Sequence, residues 1–288
     1  MLGAGAAAVS CAAIFARLAD EAPPLTIAAY RLLFATVILG GFALARFVLG
    51  RDRLPVRTSW PWLALGGALL AAHFWSWFAS LEHTSVASSV VIVAMQPLLA
   101  GVLGFAFFRE RPTRNEGIGI ALAVAGLLVI AGRDFASSPG ELGGDALALL
   151  GSFFAAAYFA VGRRSRSETS ATMYSASVYA CATVSLWLLA ALVHPRVGGF
   201  SGSNWTYLVL LAVVPQVIGH TAFNWALGHY RVVTVSMVVL LEPIGATLLA
   251  IPALGERPGA AILAGGPLVI AGVYFGLRGG FATDEPAL

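Results

Sequence analysis

The chain has 288 residues, 59% of them hydrophobic and 11% charged, with a formal net charge of +3 and a mean hydropathy of +0.84. Soluble domains carry charge on about a quarter of their residues, so this composition excludes an ordinary soluble enzyme and fits an integral membrane protein. All seventeen basic residues are arginine. Without lysine there is no Walker P-loop for ATP-driven pumping and no Schiff base to a cofactor, and no cofactor is expected.

A spanning helix needs about 20 mostly apolar residues to cross roughly 30 Å of hydrocarbon. Ten runs of that kind follow one another at 2–20, 25–48, 60–81, 85–108, 115–132, 143–162, 171–193, 205–228, 232–254 and 259–277. The first lacks the positive n-region of a cleaved signal peptide and is expected to be a retained span. It holds Cys11; Cys181 lies in the seventh run, and neither has the spacing of a metal site or a structural disulfide. The second run carries Arg31, about 10 Å into its helix at 1.5 Å per residue. That arginine is expected to snorkel outward to Asp20 or Glu21, with binding of a substrate carboxylate as the alternative.

In the third run His73, Trp77 and Ser80 share one helical face, while Trp60 and Trp62 stand at its start as interfacial anchors, like Trp205 further on. The fourth contains Gln96-Pro97 within "IVAMQPLLAGVLGFAFFRERPT", and the sixth contains Tyr158. Gln216, His220 and Asn224 of the eighth are spaced i, i+4, i+8, so they form a polar stripe that must meet protein or water. The ninth, "VVLLEPIGATLLAIPALGERPG", holds Glu242-Pro243 near its middle. An ionised carboxylate facing lipid at that depth costs at least about 2.5–3.5 kcal/mol, so Glu242 is a functional candidate.

The arginines also assign sides. Arg46, Arg51, Arg53, Arg57, Arg109, Arg111, Arg114, Arg163, Arg164, Arg166, Arg231 and Arg278 fall on one side of a ten-span chain. Arg17, Arg133, Arg196 and Arg257 fall on the other. The positive-inside rule then puts both termini in the cytoplasm. The net charge reports topology, and no nucleic-acid partner is expected.

Pro97 and Pro243 are 146 residues apart, as are Gln96 and Glu242, and Glu110-Arg111-Pro112 and Glu256-Arg257-Pro258. Gly119, Leu122, Ala125 and Gly126 repeat as Gly265, Leu268, Ala271 and Gly272, and His83 as His229. Half of ten spans is an odd number, so a duplicated half enters the membrane from the opposite face, giving inverted repeats with a site near the midplane. The expected architecture is all-α: ten transmembrane helices as two inverted five-helix repeats, residues 1–138 and 139–288, around a central cavity. Gly101, Gly104, Gly119 and Gly126 would let neighbouring helices approach closely.

Two five-span halves, the arginine in "PPLTIAAYRLLFAT", paired mid-span prolines and the terminal "RERP" and "GERP" resemble the drug/metabolite transporter superfamily. Within it they are most similar to the EamA-type branch of bacterial exporters. The resemblance covers nearly the whole chain. It implies export of amino acids or other small metabolites and drugs, aromatic amino-acid exporters having this architecture.

Candidate substrate-binding residues are His73, Trp77, Gln96, Tyr158, Gln216, His220, Asn224 and Glu242. Glu242 has three open roles: proton exchange, holding a substrate ammonium, or a protonated structural residue. Pro97 and Pro243 each remove a backbone hydrogen bond and are candidate gating bends. Trp75, Trp225 and Phe15 are further deep aromatics. Glu110 and Glu256 read as loop caps and ion pairs beside their arginines. The expected function is secondary export of small organic solutes, amino acids or related amine metabolites, across a bacterial inner membrane. Expected partners are the small-molecule substrate, membrane lipid and protons, with no obligate protein partner evident. An uncoupled facilitator or multidrug exporter of the same fold is the alternative, and a membrane enzyme the third class. Sugar-phosphate exchange is disfavoured, because anionic substrates want buried cations and only Arg31 is placed to serve.

Overall fold

The computed structural model describes residues 1–84, 86–137, 142–255 and 260–281, and every regular element among them is helical. The first run forms α1 (Leu2–Val9) and α2 (Ala12–Leu18); the second forms α3 (Pro24–Val48) and the third α4 (Trp60–His83). The fourth forms α5 (Val86–Val93) and α6 (Gln96–Phe108), followed by α7 (Arg114–Ser137), α8 (Leu142–Arg166) and α9 (Ala171–Val193). The eighth forms α10 (Gly202–Leu211), a π-helical stretch Ala212–His220 and α11 (Thr221–Ala226). The ninth forms α12 (Val232–Val239) and α13 (Leu241–Leu254), and α14 (Ala260–Phe281) ends the described chain. Among the described residues seven stretches are long and apolar enough to cross a membrane: Pro24–Val48, Arg57–His83, Ser89–Phe108, Leu142–Arg166, Ala171–Val193, Gly202–Ala226 and Val232–Ala253. Leu2–Leu18 and Leu263–Gly279 are shorter apolar helices. Glu256-Arg257-Pro258 lies outside the described residues.

The interruptions have local causes. Pro97 has no N–H for the Val93 carbonyl, so the chain tightens into i+3 bonds, Met95 N to Ile92 O at 3.1 Å and Leu98 N to Met95 O at 3.0 Å. Pro243 does the same to Val239, and Leu240 N turns back to Met237 O at 3.3 Å. Both prolines therefore stand in the first turn of a new helix, where the missing donor costs little. Pro215 lies inside the π-helical stretch, whose wider turn accommodates its ring. In the first run Cys11 N bonds Ala8 O at 3.2 Å.

Helices α7 and α14 pack along most of their length, and glycines set the distance. A Cβ on Gly119 would lie 2.5 Å from Gly272 O and 2.6 Å from Gly276 N; one on Gly126 would lie 2.6 Å from Gly265 O. Gly101 and Gly104 differ from expectation: their nearest neighbours are side-chain atoms at 3.7 Å and 3.6 Å, ordinary contact with no close backbone approach. Helix α4 packs on α8 and α9, α3 on α9, α1 on the π-helical stretch, and α6 on α8 and α12.

Polar contacts tie the loops together. Glu116 of α7 is fully buried, completes a capping box with Thr113, and accepts from Arg231 Nη2 at 2.8 Å. Glu110 pairs with Arg163 of α8 at 3.7 Å, and Ser59 Oγ donates to Glu168 at 3.0 Å. At other loops Thr84 Oγ1 donates to Asp145 at 2.7 Å, Thr26 Oγ1 to Arg196 O at 2.8 Å, and Ser201 N to Glu21 at 3.0 Å. The bonds from Ser201 hold the Glu21 carboxyl below its ordinary pKa. Its contribution to stability is therefore present at neutral pH and is lost as pH falls through that lowered value.

Candidate functional site

The interruptions converge on one cavity, partly open to solvent. Its wall includes Val9 and Ala12 from either side of the first break, and Val93, Ala94 and Gln96 from the α5–α6 break. His220 comes from the π-helical stretch, and Val239, Glu242 and Pro243 from the α12–α13 break. Arg31 of α3, three residues of α4 (His73, Phe74 and Trp77), Tyr158 and Phe159 of α8, and Phe223 of α11 complete the enclosure.

Gln96 and Glu242 thus stand at matching points, each in the first turn of the helix that resumes after a break. Glu242 gains there from the positive end of α13. Gln96 Nε2 donates to Ser236 Oγ of α12 at 3.4 Å, which links the two broken helices and leaves its carbonyl oxygen as an acceptor. The His73 ring meets the Gly151 carbonyl through Nδ1 at 2.9 Å; a carbonyl only accepts, so Nδ1 carries the proton. The same ring lies parallel to Trp77, centroids 6.2 Å apart, and His220 meets Phe74 edge-on at 5.3 Å.

Two expected residues stand one layer behind the wall. Gln216 Oε1 accepts from Arg31 Nε at 2.8 Å. Asn224 Oδ1 accepts from Tyr158 at 2.5 Å while its Nδ2 donates to Ser175 Oγ at 3.0 Å. The π-helical turn between them breaks the simple i, i+4, i+8 stripe, leaving only His220 on the cavity itself. Pro97 faces away, towards Ile120 and Leu240. Trp75 is 39% exposed, Phe15 stacks with Tyr207 and Trp225 with His229.

Arg31 corrects an expectation. It does not snorkel to Asp20 or Glu21: it is 1% exposed, its guanidinium carbon lies 4.1 Å from the Phe74 ring centre, and it faces the cavity. The amide of Gln216 and the face of Phe74 offset part of its desolvation, and Glu21 is engaged with Ser201.

The cavity joins one cation, one carboxylate and two imidazoles to aromatic walls, a combination suited to a small amphiphilic solute. Among the described residues no group of three or more His, Cys, Asp or Glu is placed to hold a metal. The family profile described as "EamA-like transporter family" matches residues 1–132 and 142–278. The chain belongs to the EamA-like transporter family. This places it in the drug/metabolite transporter superfamily. Three relatives show the range of similarity. An "Uncharacterized transporter" of Archaeoglobus fulgidus is 25% identical over 88% of each chain. A "Probable amino-acid metabolite efflux pump" of Salmonella typhimurium is 26% identical over 89% of this chain and 86% of its own. A "Probable terminal-alkyne amino-acid exporter" of Streptantibioticus cattleyicolor is 28% identical over 66% of this chain and 64% of its own. A protein of solved crystal structure superposes with a TM-score of 0.80 at 21% identity, covering 95% of this chain and 94% of that one, and so shares the fold.

Sequence reasoning about this EamA-like transporter missed Phe74, Phe159 and Phe223 on the wall. Phe74 and Phe159 immediately follow His73 and Tyr158, but adjacency alone does not say which face of a helix an aromatic takes.

Proposed function

We propose that this protein is a secondary transporter exporting small organic solutes, amino acids or related amine metabolites, by alternating access across a bacterial inner membrane. The observation that carries the proposal is the cavity at the helix breaks, with Gln96 and Glu242 at repeat-equivalent positions on its wall. Glu242 is proposed as the group that protons and the substrate ammonium occupy in turn.

The architecture proposed is ten spans in two inverted five-helix repeats, and the packing supports it. Exchanging each span for its counterpart turns the α4–α8 pairing into the pairing of α1 with the π-helical stretch, and maps α3–α9, α6–α12 and α7–α14 onto themselves. At α7–α14 the glycines pair crosswise, Gly119 with Gly272 and Gly126 with Gly265. Such isologous contact between antiparallel helices is what a two-fold axis perpendicular to them would give, the relation that inverted repeats have about an axis in the membrane plane. The family matches at 1–132 and 142–278 support the same division. So do the loop contacts above, each of which joins loops that the arginines assign to one side.

Two results would test this. Reporters fused to either terminus should read as cytoplasmic; a periplasmic signal from either end would break the ten-span arrangement. Everted vesicles from cells producing the protein should accumulate some labelled amino acids above control vesicles. A panel showing no difference from control for any amino acid would defeat the assigned substrate class.

A further inference from the structure

Arg31 is the most deeply buried charge on the cavity wall, and what is bonded to it does not neutralise it. Nε is satisfied by the neutral Gln216 amide and the flat face by Phe74. Nη1 is buried without a hydrogen-bond partner. No ion pair joins Arg31 to Glu242 among the described residues, although both line the cavity. Burying a cation is costly unless an anion and hydrogen bonds compensate it, and a buried donor left unpaired adds its own cost. Trp77 Nε1, a donor with no acceptor function, is likewise buried and unpartnered on the same wall. Glu242 balances the charge of Arg31 across the cavity without bonding to it, so the site has N–H donors to spare, and a carboxylate is an acceptor that fits them.

We infer that Arg31 receives the carboxylate of the transported solute while Glu242 receives its ammonium, so that the cavity selects zwitterions. This rests on the proposed transport function and names the chemistry it selects. A guanidinium presents two parallel donors to a carboxylate, which no single ammonium group reproduces. Charge balance points the same way. Arg31 and Glu242 cancel one another, and a zwitterion keeps the occupied cavity neutral. An amine without a carboxylate adds a net positive charge beside Arg31, and an anion without an amine adds a negative one beside Glu242. Phe74, Phe159 and Phe223 are left to hold the apolar side chain.

The test is competition against labelled phenylalanine in proteoliposomes of the purified full chain. Unlabelled phenylalanine, phenylalaninamide and 2-phenylethylamine serve as competitors against the wild type, Arg31→Gln and Arg31→Lys. In the wild type the amide and the amine should compete at least tenfold more weakly than the amino acid. Both variants should lose at least tenfold in apparent affinity for phenylalanine and little for the amine, so the preference collapses. Retained competition by the amine shows that a variant is folded; if neither variant folds, the wild-type panel decides alone. Equal competition by acid, amide and amine in a wild type that does transport phenylalanine overturns the role of Arg31 and leaves the transport function standing. A wild type that moves no amino acid overturns both.

Discussion

Glu242→Gln should abolish stimulation of transport by a pH gradient and weaken apparent affinity for amine-bearing substrates by at least about tenfold. The substitution copies its repeat counterpart Gln96 and keeps the side-chain shape while removing the titrating group. A hydrogen bond to a charged partner contributes about 1.5–3 kcal/mol, so exchanging carboxylate for amide costs roughly one to two orders of magnitude in affinity for an ammonium. The pH-gradient effect vanishes for a different reason. If protons and the ammonium occupy one carboxylate in turn, they exclude one another, and that competition couples the two fluxes. The measurement is uptake into proteoliposomes with and without an imposed gradient. A variant that responds to the gradient as the parent does would remove Glu242 from coupling. Neutral solutes moving normally, with amines impaired and the gradient effect intact, would leave it as an ammonium site only.

The second large effect is expected far from the cavity. Gly119→Ala should lower the thermal unfolding midpoint in detergent by several degrees, and Gly272→Ala should do the same. At Gly119 the added methyl meets backbone on all three nearest sides, Gly272 O at 2.5 Å, Gly276 N at 2.6 Å and Gly276 Cα at 2.9 Å. Backbone cannot rotate away as a side chain would, so the α7–α14 seam must open. Overpacking of this kind typically costs about 1–3 kcal/mol. Gly117→Ala, two residues away, is the control: nothing lies within 4 Å of its added methyl, and alanine is the better helix former by about 1 kcal/mol. Equal stability of Gly117→Ala and Gly119→Ala would contradict the close approach.

What could be read from sequence, and what could not, follows from how apolar helices carry information. Two of the helix breaks were legible, because Pro97 and Pro243 remove donors wherever they stand; the break between α1 and α2 was not, since no proline marks it. The polar residues of the cavity were legible too, because His73, Gln96, His220 and Glu242 are costly in hydrocarbon. Rotation of a helix about its own axis was not. Lipid and protein interior are equally apolar, so neighbouring aromatics give no clue as to which faces in. Phe74 is fully buried on the cavity while Trp75 is 39% exposed. Arg31 was misjudged because depth along the helix suggests snorkelling, whereas its compensation comes from Gln216, 185 residues further on. The π-helical turn at Pro215 also escaped, and with it the distinction between His220 on the wall and Gln216 and Asn224 behind it.

Flux through the purified chain in proteoliposomes without ATP tests the central claim most directly. A labelled amino acid should move down its own gradient, and an imposed pH gradient should accelerate it. Absence of flux for every amino acid offered, or flux that appears only when ATP is supplied, would contradict a secondary transporter working through this cavity.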